Sequence, residues 1–302
     1  MSQNDNLNSQ ASASGNLATN ALLANLKLST WSNRKLDKKL SRDLENNNQA
    51  TTGAASVSKH LVARSHASYK AVLYAAGKIR TYHYQNTLPW LDRGARILPA
   101  PHYMNYVTEM RALIHEFETK VTDFVTDYPQ IVANAPAFLG ALYNPNDFPP
   151  VAKLQSCFYA VLDFIPLQDS GDIRCNLGNA IAIEEIKSQA ETRARQALAD
   201  CTHDLASRLL NQVQKIAEYG KRDKAKLPKQ TMDNLQELLS LVPSLNFTGS
   251  PEIQAMCDRI ARELSDTGQA PQDAAKKAEA IYDDLSAFMG TLSPSQKESE
   301  CD

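Results

Sequence analysis

The chain has 302 residues, 43% of them hydrophobic and 22% charged, which is the composition of a globular protein with room for about two domains. No apolar run approaches the roughly 18 to 20 residues of a membrane span, and the start lacks a charged-then-apolar leader, so the expectation is a soluble cytoplasmic protein with no membrane partner. The net charge of −2 hides a split: 13 Lys and Arg stand against 4 Asp and Glu over residues 27–96, and 19 against 29 over residues 97–302. A segment at +9 predicts a basic surface that meets nucleic acid or an acidic protein, or the opposite charge of its own chain.

Residues 1–20 are rich in Asn, Ser, Gln and Ala without periodicity, and read as a disordered tail. Residues 21–178 read as an α+β domain. Leu26 to Trp31 alternates apolar and polar, which predicts a short strand that turns into the basic cluster Arg34, Lys35, Lys38, Lys39 and Arg42. A polar loop over residues 46–58 leads to a helix over 57–76, with Gly77 as its stop. Ile79 to Tyr84 is aromatic and alternating, and Ala95 to Pro99 is extended again, with Pro89, Pro99 and Pro101 restricting such strands to edges or short lengths. Tyr106, Met110, Leu113, Phe117, Val121 and Phe124 step by three or four residues and predict a helix ended by Pro129, followed by a short helix over 131–143. Cys157 to Pro166 reads as a strand that turns at 168–172 into a partner over 173–177.

Residues 179–220 form the longest periodic run. Ile183, Ile186, Ala190, Ala194, Ala197, Cys201, Leu205, Leu209, Val213 and Ile216 recur at helical spacing with no Pro or Gly between them. Asn179 fits the N-cap and Gly220 the stop. At 1.5 Å per residue such a helix spans roughly 55 to 60 Å. It is either a core spine or a coiled-coil-like arm with a partner in cis or trans, through Leu205, Leu209 and Val213. Glu191 with Arg195 and Asp204 with Arg208 add pairs on its exposed side. Three helices, at 230–241, 251–265 and 272–289, fill a helical region over 221–290 beyond a basic linker, and residues 291–302 are a polar tail. The fold class expected is α+β, predominantly helical: a small antiparallel sheet with helices in the first half, one long helix, and a helical C-terminal part.

Catalytic constellations are missing from the pattern. Ala75-Ala76-Gly77-Lys78 lacks the earlier glycine and the Ser or Thr of a phosphate-binding loop, and H-E-x-x-H, G-x-S-x-G and G-x-G-x-x-G are absent. Five separated cysteines with no C-x-x-C pair argue against a disulfide framework or zinc ribbon. His115 beside Glu116 and Glu118 points in other directions on a helix, and Asp147, Asp169 and Asp172 read as turn residues. The expectation is therefore no enzyme, no cofactor and no metal site. One constellation remains: Trp31, Tyr69, Tyr74, Tyr82, Tyr84 and Trp90 lie among the basic residues of 27–96. Aromatics between cations suit stacking of single-stranded bases, with Arg34, Lys35, Lys38, Lys39, Arg42, Tyr82, Tyr84 and Trp90 as the candidate contacts. The competing reading makes the rings the core of the first domain.

Leu26-x-Leu28-x-x-Trp31, the Phe117…Phe124-x-x-x-Tyr128-Pro129 helix end, the Phe158-to-Pro166 strand and Asn234-Leu235…Pro243-x-Leu245-Asn246 together resemble an uncharacterised family, a domain of unknown function, from phages and integrative mobile elements. The likeness covers most of residues 22–265. It implies an accessory or adaptor role beside a MoxR-type AAA+ ATPase and a von Willebrand factor A-type protein, with no catalytic residues.

Overall fold

The computed structural model describes residues 17–90, 94–167, 180–220, 228–264 and 271–292. The expected partner strand at 173–177, its turn with Asp169 and Asp172, the Asn179 cap, most of the basic linker and nearly all of both tails lie outside these residues. The fold is α+β and mostly helical, as the periodicity predicts. Its strands are β1 (Ala21–Ser29), β2 (Arg34–Leu36), β3 (Ser58–His60), β4 (Leu88–Pro89), β5 (Ala95–Pro99) and β6 (Tyr159–Pro166). Its helices are α1 (Lys38–Asn47), α2 (Ala67–Gln85), α3 (Tyr103–Leu139), α4 (Val151–Gln155), α5 (Ala180–Gly220), α6 (Lys229–Leu245), α7 (Pro251–Leu264) and α8 (Pro271–Thr291). Four strands form one sheet in the order β4-β5-β1-β6, and β2 with β3 forms a separate ribbon.

The chain folds into two compact units, each assembled from stretches that are separate in sequence. One unit comprises residues 1–25, 84–106 and 163–302, and the other residues 26–83 and 107–162. In the first, β1 pairs antiparallel with β5 and β5 with β4, which sets Leu23 beside Ile97 and Ile97 beside Leu88. This row of three apolar residues joins the core made by α5 to α8. Pro89 sits in a two-residue edge strand, where its missing N–H costs no ladder bond. α5 packs along α8 and meets α6 and α7. Its residues Leu205, Leu209 and Val213, expected as a partner face, are fully covered by their own unit. The stripe serves a partner in cis, and the reading of these residues as an outward partner site is corrected.

In the second unit, Trp31, Tyr69, Phe124, Tyr128 and Phe158 form a ring cluster with centroids 5.4 to 6.3 Å apart. Three local expectations are corrected here. Residues 79–84 are helical: Tyr69, Val72, Ala76, Ile79 and His83 are buried at helical spacing, so packing overrides the β preference of the aromatics and α2 runs through Gly77. α3 continues through Pro129 and Pro136 to Leu139 and absorbs the helix expected at 131–143. The reason is an unbroken buried stripe, Phe117, Val121, Phe124, Tyr128, Ile131, Ala135 and Leu139, whose burial outweighs two prolines. Pro243 is likewise inside α6, flanked by buried Val242 and Leu245.

Candidate functional site

The basic cluster expected in a turn is built on the ribbon and the helix after it. Asp37 caps α1, its Oδ1 accepting from Leu40 N at 3.1 Å. The inner face of α1 is held by polar groups: Ser41 Oγ donates to Asp37 O at 2.7 Å and accepts from Val57 N at 3.0 Å, while buried Glu45 accepts from Gly53 N at 2.7 Å. Lys59 on β3 is buried beneath this corner. Its Nζ lies 2.8 Å from Asp147 and 3.4 Å from Asp37, and donates to Leu142 O at 2.6 Å. Burial pulls its pKa down, but Asp147 and Asp37 outweigh that and hold it above the ordinary lysine value. Asp37 is held below the ordinary carboxylate value, chiefly by the Leu40 N–H.

Arg34, Lys35, Lys38, Lys39 and Arg42 are all exposed on this corner, with Leu36 and Leu44 exposed among them. Strand alternation sends Arg34 and Lys35 to opposite faces of the ribbon, and Lys38 and Arg42 share one face of α1 with Lys39 a step around it. The cations therefore leave the ribbon and the helix in several directions and do not share one face. The rings do not join them. Trp31 and Tyr69 are packed in the ring cluster, and Tyr69 Oη donates to Trp31 O at 3.1 Å. Tyr82 is half-buried on α2, where burial and then Glu109 push its phenol up. Tyr84 and Trp90 belong to the other unit. Trp90 packs against the core there, and Tyr84 is exposed with the Arg96 guanidinium 4.6 Å from its ring centre. Tyr74 is also exposed, under the Lys78 ammonium that pairs with Glu116 at 2.9 Å.

Two arrangements were not visible in the sequence. Lys59 with Asp37 and Asp147 joins positions far apart in the chain; only Asp37 gave a local signal, as a capping residue just before Lys38-Lys39-Leu40. Arg208 pairs with Asp204 at 2.7 Å as the spacing implies. It also donates to the carbonyls of Gln85, Tyr84 and Thr87 at 2.6, 3.0 and 2.7 Å, which satisfies the end of α2 and the bend after it. Among the described residues no three His, Cys, Asp or Glu side chains are grouped as metal ligands, and no helix is long and apolar enough to cross a membrane. The buried Cys201 thiol is pushed far up by burial, and Cys257 up to about 11, so neither presents a thiolate near neutrality. Comparison with known proteins finds no family model, no curated protein and no solved structure that matches this chain.

Proposed function

We propose that the chain is a non-enzymatic accessory protein of a phage or mobile element. It acts as an adaptor that docks on an acidic protein surface through β2 and α1, and the family resemblance suggests a MoxR-type AAA+ ATPase as the partner. The observation that carries this reading is the make-up of the β2–α1 corner: five exposed cations with Leu36 and Leu44 between them and no exposed ring. Exposed leucines beside charges suit a protein interface, whereas single-stranded bases need aromatic faces. The net charge of this unit, 14 Lys and Arg against 9 Asp and Glu, favours an acidic partner.

The alternative, a single-stranded nucleic-acid binder, draws support from exposed Tyr84 beside Arg96. Co-purification with a MoxR-type AAA+ ATPase, compared with a Lys38→Glu, Lys39→Glu, Arg42→Glu triple variant, tests the adaptor. Loss of the complex in a folded variant is expected, and an unchanged complex rules out this docking face. Labelled oligo-dT should bind weakly at about 0.15 M salt and release steeply as salt rises. Salt-resistant binding that Tyr84→Ala abolishes would favour the alternative.

A further inference from the structure

Arg34 and His60 are direct register partners in the β2–β3 ribbon, so both side chains leave the same face. Asn33, in a left-handed conformation at φ 54°, ties the next segment to this face. Its Nδ2 donates to Val62 O and its Oδ1 accepts from Val62 N, both at 2.7 Å, and its carbonyl accepts from Leu61 N at 3.1 Å. The turn that follows, closed by His66 N donating to Ala63 O at 2.9 Å, presents Arg64. Burial lowers the His60 pKa, Arg64 and Arg34 add to that, and the Asn33 backbone works against it. Both arginines also act on the Tyr69 hydroxyl.

The charges on this face are uncompensated. Lys59, the cation on the ribbon's other face, has two carboxylates. Arg34 and Arg64 are exposed and, among the described residues, make no ion pair. His60 Nδ1 is buried without a hydrogen-bond partner, an arrangement that costs stability until something satisfies it.

We propose that Arg34, His60 and Arg64 form a binding site for a phosphate dianion, as inorganic phosphate or as a phosphate monoester. Two free guanidiniums match two negative charges, and their planar forks suit phosphate oxygens. A single carboxylate would leave one cation unneutralised. Both arginine side chains are exposed and make no ion pair among the described residues, so they are free to turn toward a bound dianion. The bound dianion then favours the protonated ring, which converts Nδ1 into a donor. Arg34 also belongs to the β2–α1 docking face, but anion binding by the isolated chain is read directly and needs no protein partner, so the two proposals fail separately.

The test is a histidine NMR titration of the full chain with inorganic phosphate, at constant ionic strength set with chloride. A saturable His60 shift is expected, with a higher His60 pKa in the bound state, since the coupling between proton and anion is reciprocal. Arg34→Gln and Arg64→Gln should each weaken binding about tenfold or more. Lys39→Gln removes the same charge from α1 and should leave the affinity unchanged. A phosphoserine peptide that competes below the concentration of inorganic phosphate assigns the dianion to a partner side chain; weaker competition assigns it to the free ion. No saturation, acetate acting as strongly as phosphate, or Lys39→Gln weakening binding as much as Arg64→Gln would overturn the proposal.

Discussion

Lys59 is a charge the fold has taken out of water, and what surrounds it decides whether that costs or contributes stability. Its side chain is 8% exposed and its partners Asp37 and Asp147 are 15% and 12% exposed. Lys59→Met would leave two carboxylates facing each other without their cation, a loss of about 3 kcal/mol by analogy with broken buried pairs. Urea denaturation should show it, and adding Asp37→Asn and Asp147→Asn should recover part. The pH dependence has two limbs. The raised Lys59 pKa contributes stability that is full below the ordinary value near 10.5 and lost as pH rises through the folded value. The lowered Asp37 pKa contributes stability that is present above the ordinary value near 3.8 and lost as pH falls through the folded value. His102 acts between them. Its Nε2 donates to Asn86 Oδ1 at 2.7 Å, and burial lowers its pKa below 6.5. Just below that pH the unfolded ring binds a proton that the folded ring refuses, so stability falls as the solution is acidified. A His102→Gln variant should unfold with a flatter pH profile between neutrality and the folded pKa, and an unchanged profile would remove His102 from this role.

Among the elements, α5 shows how an apolar stripe divides its work along one helix. Leu209→Ala should cost about 2 to 5 kcal/mol, because the residue is fully buried among α5 to α8 and its removal opens a cavity. Ile181→Lys, at a position 78% exposed on the same helix, should change the unfolding free energy by less than about 0.5 kcal/mol. Equal losses at both positions would mean that the start of α5 is covered in solution. The helix itself was legible because ten apolar or small positions keep one period with no breaker, and α7 and α8 were legible for the same reason. α2 was misread at residues 79–84 because Tyr82 and Tyr84 alternate with polar residues, while the deciding contacts of Ile79 and His83 lie in the packed interior. α3 was cut short because Pro129 is a strong local stop signal, and only the buried residues beyond it show why the helix continues. The basic cluster was legible as charge. Its placement on a ribbon and a capped helix was not, because Lys59, Asp147 and Leu142 meet Asp37 only through the fold. The Arg34–His60–Arg64 face was hidden in the same way, since its geometry depends on register and on the two Asn33 bonds.

At the scale of the whole molecule, the chain crosses between its two units four times, and each crossing falls within a regular element: β1, α2, α3 and β6. A helix such as α3, 37 residues long, propagates by bonds that each depend on the residue four before, so its loss on one side of a crossing exposes unpaired groups on the other. Chain continuity alone therefore couples the stability of the two units, in contrast to domains joined by a polar linker. The molecule supplies its own reporters. Trp31 sits in the ring cluster of one unit and Trp90 packs against the core of the other, and these are the chain's two tryptophans. Trp31→Phe and Trp90→Phe each leave one emitter. The two variants should therefore report urea transitions that, after correction for each variant's own stability by circular dichroism, coincide in midpoint and slope. A single slope appropriate to the surface of the whole chain is expected. If the Trp90 signal were lost at a distinct urea concentration from the Trp31 signal, the crossings would have to act as hinges at which each element breaks, and the two units would have to be treated as separately folding bodies.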